Sequence, residues 1–310
     1  MPGELDLRQD RVMASRVPFY FVDVFASDPL TGNPLSLVPD ADELDEARMR
    51  AIAREFNQSE TTFLLRPSLP GASLRLRSFT PIGAEVGGAG HNALGAWLWM
   101  HAAGRLPSAD QDAGLRQEIA GQVLPVEMIC PAGEPAAVWM DQSSPHFGAV
   151  AHDRVVLAAA LGLAEDDLAA GEPAQVVSTG AGHLLVPVSN RAAVDRAAPD
   201  AARLAQVLRQ AGGEGCYLYS RDPVDSAAAA AYTRFFNPVM GIAEDPATGT
   251  AAGPLVARLA AEGRIADQST VIIEQGYALG RPSRIQVSVS GQRIRVGGSG
   301  LVVAEGTLAL

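Results

Sequence analysis

The sequence is poor in the groups on which several common chemistries depend. Only two cysteines occur in 310 residues, Cys130 and Cys216, far apart and without metal-like spacing. A disulfide framework and a zinc site are therefore excluded, and both thiols read as inert, buried ones. Basic residues number 24 against 35 acidic ones, a net charge of −11, and no segment concentrates them. Binding along a nucleic-acid backbone requires such a concentration, so no nucleic-acid partner is expected. No apolar run approaches the length needed to span a bilayer, and the opening stretch MPGELDLRQDRVMASR has no hydrophobic segment of the signal-peptide kind. These absences predict a soluble, cytoplasmic protein without a membrane partner, and a loosely held leader over residues 1–16. A GxGxxG turn with a later acidic residue at dinucleotide spacing is missing, as is a P-loop.

What is present is globular: 47% hydrophobic and 19% charged residues, enough to bury a large core, in a chain long enough for two domains. Phe19 to Phe25 and Leu35–Val38 read as two strands of a hairpin around SDPLTGNP. Asp42 is placed to cap a helix whose broken apolar face is Leu44, Ala47, Ala51 and Ile52, ending near Phe56. Strands are predicted at Thr61–Leu65, with Glu60 at the mouth, and at Leu74–Phe79, where Leu and Arg alternate. A hairpin at Leu115–Ile119 and Val123–Ile129 precedes PAGEP, the expected connection between lobes 1–130 and 131–310, with the last strand, about 299–310, expected to return to the first lobe. The second half mixes helices at Asp153–Leu161 and Ala201–Ala211 with short strands, and the run Ala227–Ala231 reads as a surface connection or helical turn. Many short strands with few helices predict an α+β fold rather than a wound parallel sheet.

Two stretches share one grammar. GAEVGGAGH leads into NALGAWLWMHAAG, and EDPATG leads into TAAGPLVARLAAEG; Gly90 to Gly104 and Gly249 to Gly263 each span 14 residues from a glycine turn, through a nearly uncharged helix, to a glycine stop. So few charges predict helices enclosed by sheet. Amides at a helix start carry unpaired N–H groups and partial positive charge, so each turn is a candidate cradle for an anionic ligand group. Asp245 stands at the rim of the second cradle, and Thr250 adds a hydroxyl. His101, His146, His152 and His183 read as structural, although His183 follows a small glycine turn and is placed to line a cleft; Trp97 and Trp99 read as core.

The ordered stretches VDVFASDPLTGNPLSLV, NQSETTFLL, FTPIGAEVGGAGHNALGA, FNPVMGIAEDPATGTAAGPLV and EQGYALGRPS resemble those of the phenazine biosynthesis PhzF-like proteins, from about Val17 to Leu310. The resemblance implies a diaminopimelate-epimerase-like fold: two pseudo-symmetric lobes, each a β-barrel-like sheet wrapped around a central helix, with a ligand in the cleft between them. It implies Glu60, of the SETTF motif, as acid/base, with His91 and Asp245 beside it, and Gly90, Gly249 and Thr250 as binding groups for a substrate carboxylate. Epimerases of that fold commonly carry a cysteine at each glycine turn; here those positions are Ala89 and Thr248, which disfavours two-thiol chemistry. Thr250 stands where serine is common in the family, and the spacer Ile82–Ala84 is one residue longer than usual.

The implied activity is that of an isomerase moving a proton on a small carboxylated, amino-acid-like or cyclic substrate, without metal or other cofactor, in a homodimer. A partly buried carboxylic acid, its pKa raised, suits that task. Two other readings are an amino-acid epimerase or racemase with Glu60 and Asp245 as opposed bases, and a non-catalytic binder of small carboxylates.

Overall fold

The computed structural model describes residues 16–107 and 114–310. The expected leader lies outside the described residues except for Arg16, which opens the first strand. In chain order the first half comprises β1 (Arg16–Val24), β2 (Asn33–Val38), α1 (Glu46–Phe56), β3 (Thr61–Leu65), β4 (Leu74–Phe79), β5 (Glu85–Val86), α2 (His91–Ala102), β6 (Leu115–Ile119), β7 (Gln122–Ile129), β8 (Ala137–Asp141) and β9 (His146–Ala151). The second half comprises α3 (Arg154–Leu161), β10 (Ala174–Ser178), β11 (Gly182–Pro187), α4 (Arg191–Arg196), α5 (Ala201–Ala211), β12 (Gly215–Ser220), β13 (Ala229–Asn237), β14 (Ile242–Asp245), α6 (Gly249–Ala261), β15 (Ser269–Gln275), β16 (Ser283–Ser290), β17 (Arg293–Gly298) and β18 (Gly300–Ala309).

The strands form a repeat. β2 runs parallel to β3 and β4 parallel to β6, and in the second half β11 runs parallel to β12 and β13 parallel to β15. Each repeat carries its central helix, α2 or α6, between the two strands of the second parallel pair. The last strand of each repeat pairs with the first strand of the other, β9 with β10 and β18 with β1. The remaining neighbours are antiparallel, so the α+β expectation holds, and the fold is the two-lobed one that the motifs imply.

Both central helices are enclosed. Every residue of α2 from His91 to Met100 is buried, and α6 is buried from Gly249 to Leu259 apart from the half-buried Thr250. One continuous core joins them: Leu94, Trp97 and Leu98 belong to the same cluster as Ala251, Leu255 and Leu259. The indole N–H of Trp97 donates to Gln117 at 2.8 Å, which satisfies the one polar atom that this ring brings into the core. Smaller clusters lie outside the sheets, under α1 and under α3 to α5. No helix among the described residues is long and apolar enough to cross a membrane.

Several local expectations change. Asp45, not Asp42, caps α1, its carboxylate accepting from the Arg48 N–H at 2.8 Å, because a short 3₁₀ turn at Ala41–Glu43 uses up the earlier residues. The alanine run is divided: Ala227 and Ala228 form an exposed turn, as expected, but β13 begins at Ala229, and Ala231 is fully buried, its small side chain suiting a crowded sheet interior. Strands β8 and β9 and helix α4 stand where no element is expected. Cys216 is buried, but Cys130 is exposed at the end of β7, its sulfur 3.8 Å from His101 Nδ1.

Gly95 shows how closely α2 meets the sheet. A β-carbon there would lie 2.5 Å from Leu35 Cδ2 and 2.9 Å from Val24 Cγ2. On an open helix face Gly→Ala stabilises by up to about 1 kcal/mol. Gly95→Ala is expected to do the opposite and cost about 1–3 kcal/mol by overpacking. Urea unfolding measures the sign directly.

Candidate active site between the lobes

A cleft of about 380 Å³ opens between the lobes, lined by Glu60, Gly90, His91, Asp245, Gly249 and Thr250 together. All six expected site residues, drawn from three separate stretches, therefore meet around one space. A larger groove of about 440 Å³ lies on the outer face near Arg154 and Pro187. Its charged side chains are engaged elsewhere: the Arg154 guanidinium donates to the carbonyls of Ala169 and Leu168, both at 3.1 Å, and Glu172 accepts from Arg221 at 2.7 Å.

The two helix starts are matched by their caps. Gly90 caps α2 and Thr248 caps α6. Cap register pairs Gly90 with Thr248, His91 with Gly249 and Asn92 with Thr250, one residue away from a glycine-to-glycine alignment. Gly90 rather than Ala89 is therefore the counterpart of Thr248, and neither position holds a cysteine. The Gly90 N–H is already used, donating to Asn92 Oδ1 at 2.7 Å, and the Thr248 N–H donates to Gln275 Oε1 at 3.2 Å. The next two amides of each helix, at His91 and Asn92 and at Gly249 and Thr250, have no intrahelical partner by geometry. The residues that carry these four amides line the same cleft.

Asp245 ends β14 and is held from both sides. Asn33 Nδ2, on β2 of the first repeat, donates to Asp245 Oδ1 at 2.9 Å and to the Ala247 carbonyl at 2.8 Å. Thr248 Oγ1 donates to Asp245 Oδ2 in a very short hydrogen bond. An ionised carboxylate can only accept, so Thr248 is the donor, and its oxygen accepts in turn from the Gln275 amide at 3.0 Å, which also donates to the Asp245 carbonyl at 2.7 Å. Tyr217 in turn donates to Gln275 Oε1 at 3.0 Å. Burial still raises the Asp245 carboxyl to about 6, against the lowering effect of Thr248 and Asn33.

Glu60 follows α1, whose end is turned by Asn57 at φ 52°, and its carbonyl is fixed by the Ser36 N–H at 3.3 Å. Its Oε2 is shielded from solvent and has no hydrogen-bond partner. Burial first, and the nearby Asp245 charge second, push Glu60 up to about 8. His91, buried with an unpartnered Nε2, is pulled down to about 4 by burial and is neutral at physiological pH. The longer spacer leaves this arrangement intact. The Thr80 N–H donates to the Ala84 carbonyl at 2.9 Å, Ile82 bulges out to 80% exposure, and Glu85 stays opposite Phe79.

Asn33, Asn92 and Gln275 were not singled out from the sequence, and Thr248 was singled out only as the counterpart of a cysteine position, not as a partner of Asp245. Each nevertheless lies inside a resembling stretch, in TGNP, GHNALGA, EDPATG or EQGYALG. The available signal was a polar residue next to a glycine turn. Among the described residues no group of three His, Cys, Asp or Glu side chains is arranged to hold a metal ion.

Two lobes, each built on a helix that starts at a shared cleft lined by buried carboxyls, define the class of fold to which the chain belongs. A family model described as phenazine biosynthesis-like protein matches residues 22–306. Trans-2,3-dihydro-3-hydroxyanthranilate isomerase of Pseudomonas chlororaphis is 34% identical over 94% of this chain and 99% of that protein. An uncharacterized isomerase of Deinococcus radiodurans is 35% identical over 92% of each. Among solved structures, a PhzF-family protein of Bacillus anthracis superposes with a TM-score of 0.87 at 28% identity, over 96% of this chain and all of that one. A hydroxyproline epimerase of Agrobacterium vitis, at 12% identity and a TM-score of 0.64 over 95% of this chain and 91% of that one, shares the fold. The chain belongs to the phenazine biosynthesis PhzF-like family and is an isomerase.

A carboxyl whose folded pKa is raised stabilises the fold fully below its unfolded pKa and loses that contribution as pH rises through the folded one. For Glu60 the window runs from its ordinary 4.5 up to about 8. Glu60→Gln is expected to melt close to the wild type at pH 4 and clearly above it at pH 9. Melting curves across that range check the sign.

Proposed function

We propose that this isomerase moves a proton on a small carboxylated substrate, amino-acid-like or cyclic, with Glu60 as general acid/base. The observation that carries this reading is the state of the carboxylates in the cleft. Both Asp245 oxygens accept from fixed donors, Glu85 is paired to Arg77 at 2.7 Å, and Glu214 accepts the Gly182 N–H at 3.1 Å. Glu60 alone among these four keeps a shielded oxygen without a partner.

The paired amides of α2 and α6 would hold the substrate carboxylate, as helix starts favour anions. Glu60, as carboxylate, takes a proton from carbon, and the acid so formed returns it at another position of the same substrate. One carboxyl that both removes and replaces the proton needs no metal or redox group. Neutral His91 offers an uncharged hydrogen-bonding group beside it, and Asp245 raises the basicity of Glu60 through its charge. Opposed-base epimerisation would use Asp245, whose two hydrogen-bonded oxygens and lower pKa of about 6 make it a weaker base than Glu60.

The test is proton exchange in D2O, using trans-2,3-dihydro-3-hydroxyanthranilate and a panel of small amino and hydroxy acids. Glu60→Gln is expected to lower turnover and deuterium incorporation by at least about 10²-fold. Unchanged exchange would remove Glu60 as the shuttle, and inversion at a single labelled carbon would favour the epimerase reading. A base that must start ionised gives kcat/KM rising with pH, with a midpoint near the Glu60 value of about 8. Asp245→Asn is expected to move that midpoint down by removing the neighbouring charge. A midpoint that stays put contradicts the coupling.

A further inference from the structure

His183 lies on β11, opposite Val177 of β10 and beside Gly215 of β12. The residue is 3% exposed, and its ring packs in a T-shaped pair with Phe235, the centroids 5.0 Å apart. Nε2 stands 3.3 Å from Thr250 Oγ1 at the cleft, while Nδ1 is shielded and unpartnered. The Nδ1 side faces Gly215, where a β-carbon would come within 3.2 Å of Nδ1 and 2.4 Å of Phe235 Cζ. Glycine at 215 thus leaves the ring room and gives Nδ1 nothing to bond.

A neutral imidazole carries one N–H. On Nδ1 it would be a buried donor without an acceptor, and Nε2 would then consume the Thr250 hydroxyl. On Nε2 it donates to Thr250 Oγ1, and only a lone pair at Nδ1 is orphaned. Orphaned buried N–H groups are the rarer of the two. The Nε2–H tautomer leaves the Thr250 O–H free to donate into the cleft, alongside the unbonded Thr250 amide at the second position of α6. No Lys or Arg is among the described residues lining the cleft. Anion binding there falls to amides and hydroxyls, which gives each correctly aimed donor more weight.

We infer that His183 is a positioning residue that holds the Nε2–H tautomer and so aims the Thr250 hydroxyl at the substrate carboxylate. The inference rests on the carboxylate-binding reading above, and it extends the site to a histidine that touches the substrate only through Thr250.

Two measurements test it on the full chain. With 15N-labelled histidine, long-range proton–nitrogen spectra of the free protein report the tautomer, the His183 signals being those lost in His183→Gln. Nε2–H is expected, and Nδ1–H overturns the inference. Calorimetry then uses 3-hydroxyanthranilate, an aromatic carboxylate with no saturated C–H to shuttle. His183→Leu and Thr250→Val are each expected to weaken its binding about tenfold, the double variant no further, and His183→Gln, which keeps a donor near Nε2, by no more than about twofold. Wild-type affinity in His183→Leu, or additive losses in the double variant, overturns the inference. Should His183→Leu fail to fold, His183→Asn, whose side chain is too short to reach Thr250, replaces it against His183→Gln. Absence of probe binding by the wild type would remove the carboxylate cradle and this inference with it. Retained exchange in Glu60→Gln would remove the proton shuttle alone and leave the tautomer and binding results standing.

Discussion

Two helices enclosed by sheet, with their first turns lining one cleft, are the constraint on which the rest of this structure depends. Helices enclosed by sheet can satisfy their first amides only through capping groups or through the cleft on which their first turns open. Gly90 and Thr248 use their own N–H groups on Asn92 and Gln275, and the four amides that follow belong to residues lining the cleft. The surrounding polar network exists to hold those turns still. Gln275 occupies both its oxygen and its nitrogen in doing so, and Thr248 accepts from it while donating to Asp245.

Exchange of terminal strands makes the cleft possible. Because β9 pairs with β10 and β18 pairs with β1, each lobe is completed by chain from the other repeat, and the two central helices share one core. Asn33 extends this dependence into the chemistry, since a residue of the first repeat holds the carboxylate of the second. Arg281 does the same at the rear of the junction, bonding Asp23 and the carbonyls of Thr31 and Gly32. A buried carboxylate such as Asp23 is tolerable only when paired in this way.

Much of this was legible in the residues. The glycine turns and the near absence of charge in GHNALGAWLWM and GTAAGPLVARL specify buried helices, and the alternation in Leu74–Phe79 specifies a strand. Local grammar failed where tertiary context decided. The alanines at 229–231 have weak strand preference and enter β13 because the sheet accepts small side chains there. Asp42 and Asp45 are equivalent as potential caps on paper, and the 3₁₀ turn at Ala41–Glu43 selects the second. Equal glycine spacing suggested a register one residue off, because a glycine is the cap in one helix and the first helical residue in the other.

The sequence by itself determined the family and the two-lobed architecture and nominated Glu60, His91 and Asp245, which line one cleft, because apolar pattern, glycine placement and ordered motifs are local properties of the chain. Only the tertiary structure distinguished the members of that set. Desolvation and the neighbouring Asp245 charge raise Glu60 to about 8, whereas hydrogen bonds from Asn33 and Thr248 hold Asp245 lower, at about 6. Likewise His183 became part of the site only when β11 placed its Nε2 against Thr250 and Gly215 left its Nδ1 unpaired. Proton affinity depends on burial and on what stands within a few ångströms, and those neighbours come from segments far apart along the chain.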